Sequence, residues 1–199
     1  MEHVVGIGGY AVSGSPDDVI KTFALSTCVG LVYYSMRKRA MAMAHIQLPV
    51  CRSMSAGDKP SRFADLAAEF LLKEMQQKHG ITPREVLISL YGGIDGRGAG
   101  DCFRIGEKNL QTVKDALRKL GLPYNEVDTG GQESRTLVAY TSTGIVEVIK
   151  RPMAFSGLGA APRPGPQGPA GAAARTGPLG PAARTGPQGP AGRGLGFLR

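Results

Sequence analysis

Only three cysteines, Cys28, Cys51 and Cys102, occur in the 199 residues, and no two of them form a CxxC pair. An odd count without that spacing excludes a disulfide scaffold and fits a chain folded in a reducing cytosol. Histidine is equally scarce. His3, His45 and His79 share no metal-ligand spacing with the cysteines, so no zinc site is expected. No apolar run approaches the roughly 18–20 residues of a membrane span. The opening MEHVVGIGGYAV lacks the basic start, long apolar stretch and cleavage site of a secretory signal. A cytoplasmic protein without membrane insertion is therefore expected. Two nucleotide-loop readings fail on missing residues. Gly6-x-Gly8 has Ala11 where a dinucleotide loop needs its third glycine, and the glycine-dense IDGRGAGD lacks the Gly-Lys-Ser/Thr ending of a phosphate loop. That second loop reads instead as the edge of a groove.

Charge of one sign is missing from the end of the chain. Residues 157–199 hold five arginines, no lysine and no acid, so the rest carries 19 basic against 16 acidic residues, a net of only +3. The body is too weakly basic to point to nucleic acid, and an RNA- or DNA-binding role is not expected. From Gly165 to Gly192 every third residue is glycine except Ala174 and Ala183, and ARTGPLGPA is followed at once by ARTGPQGPA. A collagen triple helix needs glycine at every axial position, so two breaks argue against one. The expected organisation is a folded domain over 1–156 and a disordered Gly/Pro/Ala/Arg-rich tail over 157–199.

Within the body, 42% hydrophobic content supports a core. Val19 to Leu25 reads as a strand. Val29–Tyr34 and Ala40–Ile46 read as a hairpin joined by the polar Ser35-Met36-Arg37-Lys38. Pro60 to His79 reads as a helix, with Phe63, Leu66, Ala67, Phe70, Leu71 and Met75 on one face, Asp58 as cap and Gly80 as stop. Glu85 to Tyr91 is a strand ending at Gly92-Gly93. Gly106 to Leu120 is a second helix with Leu110, Val113, Leu117 and Leu120 inward, and Tyr124–Val127 leads into a turn. Thr136–Tyr140 and Ile145–Ile149 form a closing hairpin. Interspersed strands and helices with direct hairpins give an α+β (mixed α/β) fold: a largely antiparallel or mixed sheet layered with two main helices.

The hairpin suggests chemistry. With a four-residue turn at 35–38, Tyr34 faces Arg39 and Cys28 falls directly across from His45. Opposed side chains on one face hold their Cβ atoms about 4.5–5.5 Å apart. A thiol and an imidazole so placed can share a proton, and the imidazole can return it to a leaving amine. A third group would fix the ring, and Thr22, Ser26, Thr27 and Gln47 are all near enough in sequence to serve. Cys51, beside Arg52, is a second thiol in the loop after this hairpin.

Several separated pieces make the chain similar to the CheD family of chemoreceptor glutamine deamidases. They are VVGIGGYAV, T-x-x-x-x-x-C-V-G over Thr22 to Gly30, and M-A-H-I-x-L-P over Met43 to Pro49. Gly92-Gly93, I-G-x-K-N over Ile105 to Asn109, and D-T-G-G-x-x-x-R over Asp128 to Arg135 follow in the same order. The resemblance implies Cys28 as nucleophile, His45 as base and Thr22 as the group that orients the ring, on a β-hairpin. Ser26, Thr27, Gln47, Gly92 and Gly93 would line the substrate groove. It also implies methyl-accepting chemotaxis receptors as substrates, a CheC-type phosphatase as a partner, and no metal or organic cofactor. Ser26-Thr27 stands where the family commonly has Gly-Ser, and the loop YGGIDGRGAGDC is richer in glycine and carries Cys102. The same residues allow a non-catalytic adaptor that binds receptors or the phosphatase, and a transglutaminase is the nearest enzymatic rival.

Overall fold

The computed structural model describes residues 1–94, 103–153 and, as backbone, 174–176. Most of the glycine-dense loop with Cys102, and the tail other than 174–176, lie outside the described residues. Among the described residues, ten strands form two five-stranded sheets. One contains β1 (Glu2–Val5), β3 (Val19–Leu25), β8 (Glu133–Tyr140), β9 (Val146–Pro152) and β10 (Ala174–Thr176), in that spatial order. The other runs β2 (Tyr10–Ser13), β5 (Ala40–Ile46), β4 (Val29–Ser35), β6 (Leu87–Gly92) and β7 (Asn125–Thr129). The β1–β3 and β6–β7 pairs are parallel, and the remaining pairs are antiparallel.

The α+β class and the two main helices are as expected, but the strands divide between two sheets. The reason lies in β4 and β5, which are buried at all seven positions of each. A strand covered on one face alternates; one covered on both does not. Val29, Leu31 and Tyr33, with Ala40, Ala42, Ala44 and Ile46, pack against the helices α1 (Ala64–His79) and α2 (Ile105–Lys119). Val32, Tyr34, Met41 and Met43 turn the other way and meet Val5, Ile20, Leu25, Leu137, Ala139, Val146 and Val148 of the first sheet. The layers are therefore sheet, sheet, helices.

Local chemistry moves several boundaries. The segment after Asp58 is a short 3₁₀ turn, Pro60–Arg62, and then α1, separated by Phe63 in an extended conformation. Asp58 does not cap α1. Its carboxylate accepts from the Ser55 N–H and from Arg62 instead. Gly80, at φ 62°, ends the helix as expected. The outer face carries the ion pairs Glu69–Lys73 and Glu74–Lys78 one turn apart. Leu120 lies just past α2 and is exposed, not inward. Residues 125–129 pair in parallel with β6, where a turn approach was expected. The D-T-G-G-x-x-x-R stretch is explained by Arg135. Its buried guanidinium donates to Asp128 Oδ1 at 2.8 Å, Gly130 O at 2.7 Å and Glu133 O at 2.8 Å, so it fastens the turn between β7 and β8.

Candidate active site

The hairpin register differs from expectation by two residues. Ser35 pairs with Ala40 and Val29 with Ile46, so the turn is Met36–Arg39 and His45 stands opposite Gly30, not Cys28. Ser35 is buried and belongs to the strand, and Arg39 takes the left-handed φ of 47° that returns the chain. A slip of two preserves the face on which each side chain sits. Cys28 packs with Val32, Tyr34, Met41 and Met43, which lie on the His45 side of β4 and β5. The thiol and the ring thus share the space between the sheets but are not directly opposed.

Thr22 reaches that space from the first sheet in plain alternation with Ile20, still in regular register with β8, and the strand bulges only beyond it. Ile20, Thr22 and Leu25 are all buried, a spacing that strict alternation forbids, and the pairing with β8 shifts between Thr22 and Leu25. Ala24, at φ 55°, is the extra residue. The Thr22 hydroxyl donates to Val5 O at 2.7 Å. A hydroxyl has a single hydrogen and a carbonyl can only accept, so the 2.8 Å contact between Thr22 Oγ1 and His45 Nδ1 must be a bond donated by the ring. His45 therefore carries its proton on Nδ1, which leaves Nε2 a bare acceptor. Nε2 is buried and has no hydrogen-bond partner. Burial pushes the Cys28 thiol up to about 11 and the His45 imidazole down to about 4. At neutral pH these shifts favour the uncharged form of both groups.

The backbone beside Cys28 is held at three successive carbonyls. Ser26 O accepts from the Ile94 N–H at 2.9 Å, and Cys28 O from the Gly93 N–H at 2.8 Å. Thr27 O accepts from Asn109 Nδ2 at 3.0 Å. Gly92, at φ 86°, has no room for a side chain, since a Cβ there would lie 2.4 Å from Cys28 O. Gly92 and Gly93 are buried behind the cysteine, whereas Ser26, Thr27 and Gln47 are half-buried around it. Cys51 is elsewhere, half-buried, with its backbone N–H on the Asp65 carboxylate at 3.1 Å. Among the described residues no group of His, Cys, Asp and Glu could hold a metal ion. Sequence reasoning assigned no role to Val5 O or Asn109. The first is a backbone atom without a sequence signal. The second is a buried polar residue on the inner stripe of α2, which the I-G-x-K-N motif contained.

Fold and site together define a two-sheet α+β protein that holds a neutral thiol and a tautomer-fixed imidazole between its sheets. The chain belongs to the CheD family. The family model described as CheD chemotactic sensory transduction matches residues 47–150. A protein of Syntrophotalea carbinolica named "Probable chemoreceptor glutamine deamidase CheD" is 36% identical over 73% of this chain and 91% of its own length. Proteins of the same name from Caldanaerobacter subterraneus and Thermococcus kodakarensis are each 34% identical. They cover 70% and 75% of this chain and 87% and 93% of their own lengths. Among the described residues no helix is long and apolar enough to cross a membrane.

Proposed function

We propose that the chain is a protein-glutamine deamidase acting on methyl-accepting chemotaxis receptors in the cytoplasm, with Cys28 as nucleophile, His45 as base and Thr22 as the residue that orients the ring. The observation that carries this reading is the unpartnered His45 Nε2, held bare by the Val5–Thr22–His45 chain on the face where Cys28 packs. The names of the relatives supply the substrate class.

In this scheme the Cys28 proton passes to Nε2 as the sulfur attacks the glutamine carboxamide carbon, so no charge separation precedes substrate binding. The tetrahedral intermediate collapses as the Nε2 proton goes to the departing ammonia, leaving a thioester. Nε2 then takes a proton from water, the hydroxide oxygen adds to the thioester, and glutamate leaves with the thiol restored. The balance is glutamine plus water to glutamate plus ammonia. Ser26, Thr27 and Gln47 border the cysteine and are the groove residues that the receptor helix would meet. A CheC-type phosphatase would compete for the same groove.

The test is incubation with receptor cytoplasmic fragments in ¹⁸O-labelled water, followed by ammonia release and peptide mass. One ¹⁸O per converted glutamine and one ammonia are expected. Amine incorporation without labelled oxygen would indicate a transglutaminase, and partner binding with no turnover would indicate the adaptor. Thr22→Val, which keeps shape and removes the acceptor, strands the Nδ1 proton and frees the ring to change tautomer. It is expected to lower kcat about 10–100-fold, measured in the same assay, the range found when a partner that orients a metal-bound histidine is lost.

A further inference from the structure

The backbone ladder between β4 and β5 stops at Val29–Ile46, one step short of the cysteine. The next pair in that register would be Cys28 and Gln47, and a side chain continues the connection there. Asn109, fully buried on α2, donates from its one Nδ2 to Thr27 O and to Gln47 O, each at 3.0 Å. Its carboxamide thus bridges the residue before Cys28 to the residue beyond Ile46 on the neighbouring strand. Both amide hydrogens are used. The reverse orientation would set Oδ1 against two carbonyl oxygens, so the orientation is fixed. Oδ1 itself is buried with no partner. A buried acceptor left unsatisfied is a cost to the fold, borne here while the two donors hold the Thr27 and Gln47 carbonyls. The helix is seated to deliver this group. Gly106 packs so closely that a Cβ would lie 2.2 Å from Ile94 O, and Gly93 and Ile94 are the residues whose N–H groups hold Cys28 O and Ser26 O.

We propose that Asn109 is a positioning residue for the Cys28 thiol: by fixing the Thr27 and Gln47 carbonyls it sets where the sulfur sits relative to His45. The mechanical part stands on geometry alone, and its consequence for turnover rests on the deamidase reading. A sulfur displaced by about 1 Å costs on the order of 10²-fold in rate. Asn109 holds the backbone carbonyls of Thr27 and Gln47 and not their side chains, so the larger effect is expected on kcat.

The experiment compares full-length wild type, Asn109→Ala and Asn109→Asp, which keeps the outline but lacks the two donors. It measures deamidation of receptor fragments and iodoacetamide labelling of each cysteine by peptide mapping, with circular dichroism as the check on folding. The expected result for either folded variant is about a 10²-fold fall in kcat with KM within about threefold. Cys28 labelling should become at least about fivefold faster as the thiol loosens, with Cys51 labelling unchanged. A kcat within about threefold of wild type, or Cys28 labelling unchanged in a folded variant, overturns the proposal. If wild type releases no ammonia, the deamidase reading fails by itself, and the labelling comparison still decides the positioning role. If Asn109→Ala does not fold, Asn109→Asp gives the same two readings. If neither variant folds, Asn109 serves the fold and the proposal is overturned.

Discussion

Cys28→Ala is expected to bring ammonia release from receptor fragments down to the uncatalysed background, a loss of at least about 10³-fold. Every bond change in the proposed scheme passes through this sulfur, and alanine leaves nothing that can form the thioester. The fold should survive. Cys28 is a small, largely buried group among apolar neighbours, and replacing it removes one sulfur atom's packing, costing about 1 kcal/mol. Cys51→Ala is the matched control and should stay within about twofold of wild type. Cys51 engages Asp65 through its backbone and not through its thiol. Loss of activity in the Cys51 variant alone would move the nucleophile to the loop after β5.

The second large effect concerns pH. Because burial raises the Cys28 thiol to about 11, its thiolate fraction rises about tenfold per pH unit through the neutral range. Labelling of Cys28 by iodoacetamide should therefore increase about 10³-fold between roughly pH 6 and 9. A preformed thiolate–imidazolium pair would label at nearly constant rate over that span. Stability shifts as well. The His45 value is depressed from 6.5 to about 4, so as pH falls below 6.5 the unfolded chain takes up a proton that the fold refuses. Stability is lost until about pH 4, by about 3 kcal/mol. The Cys28 value is raised from 9.0, so above pH 9 the unfolded chain releases a proton that the fold keeps, and stability falls again toward pH 11. Urea denaturation should show these two groups contributing most stability between about pH 6.5 and 9.

The sequence made some of this arrangement legible and hid the rest for definable reasons. β3, the hairpin strands and the two helices announce themselves through β-branched runs and helical spacing, which depend on neighbours a few residues away. The division into two sheets does not, because whether Val32 and Tyr34 meet a second sheet or water is decided by β3, β8 and β9, far along the chain. The hairpin register slipped because Ser35 looks like a turn residue and is in fact a fully buried strand residue. Parity survived the error, so the face shared by Cys28 and His45 was read correctly although their direct opposition was not. Thr22 came from family resemblance alone. Spacing did not select it over Ser26, Thr27 or Gln47, since its approach depends on how the first sheet stacks on the second. The pKa shifts follow from burial on both faces of the second sheet, which residue types alone did not indicate.

The central claim is that the glutamine acyl group is carried by Cys28. Acid quenching during turnover with a receptor fragment, followed by digestion and mass spectrometry, reads this directly. The account predicts a hydroxylamine-labile acyl adduct on the peptide containing Cys28, and unmodified Cys51 and Cys102. Sustained ammonia release with no adduct on Cys28, or with the adduct on another cysteine, would contradict it.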